Sequence, residues 1–418
     1  MDLSFCEEYS YPDEVRRQLA DLANVPGGCA GESMILVGGT SRGELSYERV
    51  DDELRIYSDY ECLIVADGRT SRRRARELRS HFEGVRERID GGTPFFHIDY
   101  NYLSNRSFRR MDRTFFTFDA KSTGIAIRGP DIVNELPEVT SDTIDLRESN
   151  ETLIWRLWQM LLYQPLSIVS DRTTSEVWER YFGYALCKNS LDLTTWLFPW
   201  EGRLVSSFGT RVRELREGYA RMDASDYFGE QFPEFLTRCL EGKLHLDLAG
   251  FELVSHYRQA IAYFRDVIRY VFGKLEIETG GDESQDIVIS NGNRIFREDR
   301  PKRKVYDAYL ALSKGGLRRC LRWYQCNKRA LTFTVLLRFH EAVLAHIDES
   351  TEAAATALEE VRGNLERLTE KSIPVHDSFI KNYETIRRRL TEFMKRYYIW
   401  IRNEGSHVDE VTARALER

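Results

Sequence analysis

Met34-Ile35-Leu36-Val37-Gly38-Gly39-Thr40-Ser41-Arg42-Gly43-Glu44, followed further along by Asp59-Tyr60-Glu61-Cys62-Leu63-Ile64-Val65, is the stretch that decides the fold. Four apolar residues ending in two glycines predict a short buried strand that closes in a tight turn. Glycines at such a turn let backbone N–H groups approach an anion with no Cβ in the way. Thr40, Ser41 and Arg42 add side-chain donors beside them. Asp59 to Val65 reads as a second strand, polar at its start and apolar at its end. Alternate residues on a strand share a face, so the Asp59 and Glu61 carboxylates project together and Tyr60 lies on the other side. After Gly91-Gly92-Thr93-Pro94, the alternating aromatic run from Phe95 to Leu103 predicts a third strand. Asp99 sits in its middle, in Phe96-His97-Ile98-Asp99-Tyr100, where an acid without a partner is costly. His97 is expected to point to the other side of this strand from Asp99 and to be structural.

Around these strands, Pro12, Asp13 and Glu14 open a helix over 12–24 with Val15, Leu19 and Leu22 on one face. Arg69 to Ile89 carries Ala75, Leu78, Phe82, Val85 and Ile89 at three- or four-residue intervals, an amphipathic helix. From Glu151 the texture changes. Residues 151–165, 172–200, 206–222, 251–275, 303–347, 351–370 and 376–402 read as helices, and 276–300 as a loop or small hairpin. The expected fold is α+β: a small mixed-sheet head over 1–135, a helical domain over 136–275 that completes a cleft, and a C-terminal helical region over 276–418.

If the Asp99 strand neighbours the Asp59 strand, three carboxylates converge beside the glycine turn. Like charges repel, and burial raises their pKa unless a cation compensates. Mg²⁺ prefers hard oxygen ligands and binds through a few carboxylates plus substrate phosphates. Two such ions, about 3.5–4 Å apart, can activate an attacking hydroxyl and stabilise a leaving pyrophosphate.

Gly38-Gly39, then Asp59-x-Glu61 between apolar positions, then a lone acid on the next strand, resembles the polymerase-beta-like nucleotidyltransferase superfamily, whose pattern is h-G-[GS], [DE]-h-[DE]-h and h-[DE]-h with h hydrophobic. Glu61 at the second carboxylate is within that pattern, while the roughly twenty residues between Gly39 and Asp59 look like an insertion relative to the shortest members. Phe118-Asp119-Ala120-Lys121 followed by Gly124-Ile125-Ala126-Ile127-Arg128-Gly129 is similar to the helix and glycine-ended strand of small bacterial and archaeal members. Enzymes of the poly(A) polymerase and cyclic GMP–AMP synthase kind use a helical-domain Lys on the triphosphate and, about twenty residues on, a Ser-aromatic pair. Lys188 and Ser206-Ser207-Phe208 stand at that spacing. The resemblance covers residues 30–130 and, more loosely, 180–220. It implies that Asp59, Glu61 and Asp99 are the catalytic, metal-binding acids for two Mg²⁺ ions, with Mn²⁺ as a substitute. It also implies that Gly38, Gly39, Thr40, Ser41, Arg42, Lys188 and Ser207 bind the NTP phosphates and that Phe208 stacks on the base. The function so implied is transfer of a nucleoside monophosphate to an acceptor hydroxyl of a small molecule or protein. The alternatives are a synthase of a cyclic or linear oligonucleotide signal, extension of an RNA polymer, and a non-catalytic nucleotide-binding interaction protein.

Composition sets the outer limits. The chain has 418 residues, 42% hydrophobic, 30% charged and 12% aromatic, which is globular and excludes collagen-like, disordered or disulfide-scaffold chains. The formal charge of −7 disfavours a general nucleic-acid binder. The best membrane-span candidate, Leu331 to Leu337, is cut by Arg338, His340 and Glu341, so no span is expected. Seven scattered cysteines without a C-x-x-C pair, and an N-terminus without a signal pattern, place the chain in the cytoplasm with reduced thiols. His340 and His346 fall on different faces of their helix and make a poor metal pair. Arg72-Arg73-Arg74 and Arg387-Arg388-Arg389 read as solvated helix faces. The cluster Arg318, Arg319, Arg322, Trp323, Tyr324, Lys328 and Arg329 mixes cations and rings, and reads either as a grip on an acceptor or as a basic face for the acidic 352–370 segment.

Overall fold

The computed structural model describes residues 3–26, 31–67, 72–89, 96–170, 174–248, 251–278, 285–296, 328–369 and 371–395. The glycine-ended run forms β1 (Ser33–Val37), buried along its whole length. It lies at the centre of a four-stranded sheet with β4 (Tyr60–Ala66), β5 (Ile98–Ser104) and β6 (Ile125–Arg128), in the order β5-β4-β1-β6. β1 pairs antiparallel with β4 and β6, whereas β4 and β5 run parallel with Glu61 opposite Asp99. Parallel neighbours need a crossover, and the amphipathic helix Arg72–Ile89 supplies it. Of its three expected solvated arginines, Arg74 is instead buried in an ion pair with Glu32 at 2.6 Å.

The apparent insertion between the two motifs is a second, two-stranded sheet, β2 (Tyr47–Val50) and β3 (Glu53–Ile56). Asp51 and Asp52 turn the hairpin with φ of 50° and 64°, the left-handed conformation that two-residue hairpin turns need and Asp tolerates. Tyr57 N–H then bonds Ser46 O at 2.9 Å, which returns the chain to the sheet at Asp59.

The remaining described residues are mostly helical. Among the described residues, the helices of nine or more residues are, in chain order, α1 (Asp13–Ala23), α2 (Arg72–Ile89), α3 (Phe115–Thr123), α4 (Leu146–Tyr163), α5 (Glu176–Trp200), α6 (Phe208–Gly218), α7 (Phe232–Leu244), α8 (Leu253–Lys274), α9 (Lys328–Ile347), α10 (Thr351–Thr369) and α11 (Phe379–Met394). The coarse α+β expectation holds. The 276–300 loop is revised: its described part holds two short helices, Gln285–Ser290 and Gly292–Ile295, with Ile295 buried against the helical core. α7 lies between the helices expected over 206–222 and 251–275, and Pro233 is a favourable residue in its first turn. Of the helix expected over 303–347, residues 303–327 lie outside the described residues, and with them most of the 318–329 cluster. Arg329 is buried and pairs with Glu151 at 2.8 Å.

Side chains of helices α4 to α11 merge into one core, while α1 and α2 cover one face of the four-stranded sheet and α3 the other, each face with its own core. α9 is long and apolar enough to cross a membrane by length and composition, and 61% of its best window is buried in the fold. Its His340 lies between Tyr257 Oη (2.6 Å) and Leu157 O (2.9 Å), and His346 bonds Val169 O, so the two form no metal pair. Arg387, expected on a solvated face, is buried and donates to Leu162 O at 2.7 Å. Cys6, Cys62, Cys187 and Cys239 are free and buried.

Candidate active site

The end of β1, the starts of β4 and β5, and helices α3 to α7 enclose a cavity of about 260 Å³. One wall is acidic. Asp59, Glu61 and Asp99 all line it, as the strand parity and the Glu61–Asp99 register require. Gly38 sits opposite Glu61 at φ 77°, where an added Cβ would overlap the Glu61 carboxylate. The left-handed conformation favours glycine there, and a Cβ would in addition push the Glu61 carboxylate out of its place.

His97 belongs to this wall, which corrects the expectation that it faces away from Asp99. Residues two apart on a strand share a face. Its Nδ1 lies 3.0 Å from Asp59 Oδ1 and its Nε2 3.2 Å from Asp99 Oδ2. Lys188, on α5, donates to Asp59 Oδ2 at 3.1 Å. Burial alone would raise the Asp59 pKa, but His97 and Lys188 hold it well below the usual carboxylate range. The His97 imidazole moves the opposite way: burial favours its neutral form, yet Asp59 and Asp99 lift its pKa above normal. Glu61 differs from Asp59. Its carboxylate has no hydrogen bond or ion pair among the described residues, and burial together with Asp99 and Asp59 pushes its pKa up.

The facing wall is helical and carries more cations than acids: Asp119 and Asp192 line it too, each ion-paired with an arginine (Arg42 and Arg156), whereas Arg211 and Lys243 are not ion-paired among the described residues. Arg211 of α6 is 1% exposed and Lys243 of α7 is 2% exposed. Arg211 donates to the Ser206 carbonyl at 2.8 Å and the Ser207 carbonyl at 3.3 Å, and to the Thr194 and Thr195 hydroxyls. Lys243 donates to the Glu44 carbonyl. Neither makes an ion pair with a carboxylate among the described residues. Burial lowers the Lys243 pKa to about 7, with Glu44 opposing and Lys188 and Arg42 adding to the fall. Burial and then Arg42 lower that of Arg211 to about 10, so it stays charged at neutral pH.

The glycine turn joins the walls. Its short 3₁₀ segment, Thr40–Arg42, is fixed from within: Ser41 Oγ bonds Gly38 O at 3.0 Å and Thr40 Oγ1 bonds Asp59 O at 3.4 Å. Both hydroxyls are buried and neither residue lines the cavity, unlike Gly38, Gly39 and Arg42. Arg42 is itself paired with Glu44 (2.9 Å) and Asp119, which holds its guanidinium at the back of the site. Ser207 caps α6 by accepting from Thr210 N–H at 3.3 Å and donates to Glu44 Oε1 at 3.0 Å. Phe208 is 5% exposed, with Arg211 at 4.5 Å, Arg42 at 5.7 Å and Lys243 at 5.9 Å from its ring centroid. Its ring supports cations. The less buried rings at the cavity are Phe115 and Phe116 at the start of α3, which Thr114 caps through the Thr117 N–H at 3.1 Å.

No family model, curated protein or solved structure matches the chain. The site must be read from its own chemistry.

Of the residues singled out in the sequence, Gly38, Gly39, Arg42, Asp59, Glu61, Asp99, Lys188 and Phe208 meet at this cavity, and Thr40, Ser41 and Ser207 stand behind it. Arg211, Lys243 and the Arg156–Asp192 pair (2.6 Å) line the cavity without having been singled out in the sequence, and His97 stands behind Asp59 and Asp99, touching both. A signal existed for two of them. His97 is two residues before Asp99, and Arg211 is four after Ser207 on a helix already expected. Lys243 lies on the one long site helix that was not expected.

Proposed function

We propose that the chain is a divalent-cation-dependent nucleotidyltransferase, which moves a nucleoside monophosphate from an NTP to an acceptor hydroxyl and releases pyrophosphate. The observation that carries this reading is the division of one cavity into an acidic strand wall and a buried cationic helical wall that meet at the Gly38-Gly39 turn. A nucleoside triphosphate with its cation has the complementary arrangement of charge.

The acidic wall fits a hard divalent ion. Asp59, Glu61 and Asp99 offer only carboxylate oxygens at the cavity, and the Glu61 carboxylate has no hydrogen bond or ion pair among the described residues, Lys188 and Arg42 only partly offsetting the neighbouring acids. Mg²⁺ held there would lower the pKa of the acceptor hydroxyl and offset charge on the departing pyrophosphate. The chain's own residues do the remainder. Arg211 and Lys243 are buried with no ion-paired carboxylate among the described residues, Glu44 and Asp192 compensating them only through space. That burial is costly, and a polyphosphate laid along Gly38 and Gly39 offsets the cost. Arg42, fixed by Glu44 and Asp119, holds the turn in shape. The nucleobase rests on Phe116, the most exposed ring at the cavity, because cations lie over both the Phe208 and the Phe115 rings. Asp99, near the end of the acidic wall formed by β5, orients the acceptor hydroxyl.

The test is pyrophosphate release from ATP, GTP, CTP and UTP with Mg²⁺, comparing the parent with Asp59→Asn and Asp99→Asn and resolving products by mass. Release in the parent that falls at least a hundredfold in both variants is expected, the scale of loss when charge stabilisation is removed from a reacting centre. A new oligonucleotide mass would identify the acceptor as a second nucleotide. Failure of the parent to bind any of the four nucleotides would overturn the proposal.

A further inference from the structure

His97 enters the acidic wall with both ring nitrogens engaged by carboxylates, and this changes the donor set. One atom each from Asp59, His97 and Asp99 lie within 4.8 Å of one another. Neighbouring ligands on an octahedral ion with bonds of about 2.1 Å are about 3 Å apart. The pair formed by His97 Nε2 and Asp99 Oδ2, at 3.2 Å, has that spacing. The other nitrogen is held by Asp59 Oδ1 at 3.0 Å, and Asp59 is in turn fixed by Lys188 at 3.1 Å. A carboxylate on the far nitrogen is the usual device that fixes the tautomer and ring orientation of a metal-ligating imidazole. Glu61, in register with Asp99 on the adjacent strand, is the next oxygen donor.

We infer that His97 Nε2 is itself a ligand of the catalytic cation, together with Asp99, and that this site selects Mn²⁺ over Mg²⁺. Mg²⁺ favours oxygen ligands and keeps much of its hydration shell, whereas first-row transition ions take nitrogen donors too, and Mn²⁺, the hardest of them, shares the preference of Mg²⁺ for the carboxylates that make up the rest of this site. Asp59 becomes a positioning residue for the ring, with lone pairs left over for the ion. The competing account of the same contacts makes His97 a resident counter-charge for two acids. The two accounts predict opposite signs: removing a ligand weakens the ion, and removing a counter-charge strengthens it.

The inference rests on the nucleotidyltransferase reading for what the ion does, but the ion can be read without turnover. Mn²⁺ is titrated into the full chain and followed by electron paramagnetic resonance, with pulsed detection of ¹⁴N coupling and with Mg²⁺ as competitor. Nitrogen coupling in the parent is expected, and its loss in His97→Asn. Mn²⁺ affinity should fall ten- to hundredfold in that variant, and Mg²⁺ affinity by less. A parent spectrum without nitrogen coupling overturns the inference even if the variant does not fold. So does a folded His97→Asn that binds Mn²⁺ as tightly as the parent or more tightly. Nitrogen coupling in a chain that binds none of the four nucleotides would keep the metal centre and sink the transferase, and pyrophosphate release without nitrogen coupling would do the reverse.

Discussion

Lys243 links residue chemistry to a pH dependence that can be measured. Its ammonium is 2% exposed and its pKa falls from the ordinary 10.5 to about 7. The fold therefore disfavours the proton, most fully below about pH 7, so this group makes the protein more stable as pH rises from 7 towards 10.5. A bound polyphosphate needs the opposite, a charged Lys243. Nucleotide affinity should then fall by up to about tenfold per pH unit above 7. Lys243→Met should be weak at pH 6 and flat between pH 6 and 9, as read by titration with a fluorescent nucleotide. A parent with no slope would show that Lys243 does not face the phosphates. At this scale the sequence was most legible where chemistry and parity coincide. Asp59, Glu61 and Asp99 are acids at alternate or isolated positions of apolar strands, and they converge. His97 obeys the same period of two. Lys243 and Arg211 look like ordinary helical cations until burial distinguishes them, and burial depends on contacts far away in the chain.

At the scale of elements, the strands and long helices follow from apolar periodicity and capping, and β1, β4, β5, α1 and α2 fall within a few residues of their expected bounds. The misses have physical causes. The β2–β3 hairpin is charged and only half buried, so no apolar run announces it. The 285–296 helices are too short to express a full period. α3 carries the element-level prediction. Its first turn holds Phe115, 5.3 Å from the Arg211 guanidinium, and Phe116, 36% exposed at the cavity. An exposed ring over a charged cavity is unusual in a solvated helix but suits stacking on a base, which is worth about 1–3 kcal/mol. Phe116→Ala should weaken nucleotide binding about tenfold while leaving thermal stability within about 0.5 kcal/mol, since little buried surface is lost. Phe208→Ala should instead lower the melting temperature, because it opens the core beneath three cations. Equal nucleotide affinity in Phe116→Ala and the parent would return the base to another surface.

For the whole molecule, the seam between sheet and helices is polar where the site lies, and Glu44 is its centre. Its side chain is buried, its Oε1 accepts from Ser207 Oγ at 3.0 Å and Gly209 N–H at 3.2 Å, and its Oε2 accepts from Arg42 Nε at 2.9 Å. Its carbonyl takes Lys243. Asp59–Lys188 at 3.1 Å and Ser58–Tyr184 at 3.3 Å extend the same seam. Burial would raise the Glu44 pKa, but Arg42 and Lys243 hold it below normal, so its charge is what balances the cationic wall. Glu44→Gln keeps the shape and removes that charge. Leaving buried guanidinium and ammonium groups less compensated should cost on the order of 3 kcal/mol. A polyphosphate in the cavity restores the missing negative charge, and a ligand at a hundred times its Kd contributes about 2.7 kcal/mol by mass action. The variant should therefore melt several degrees below the parent alone, and gain more from saturating NTP with its cation than the parent does. An equal or smaller gain in Glu44→Gln would mean that the cationic wall serves only to hold sheet and helices together, and that the phosphates lie elsewhere.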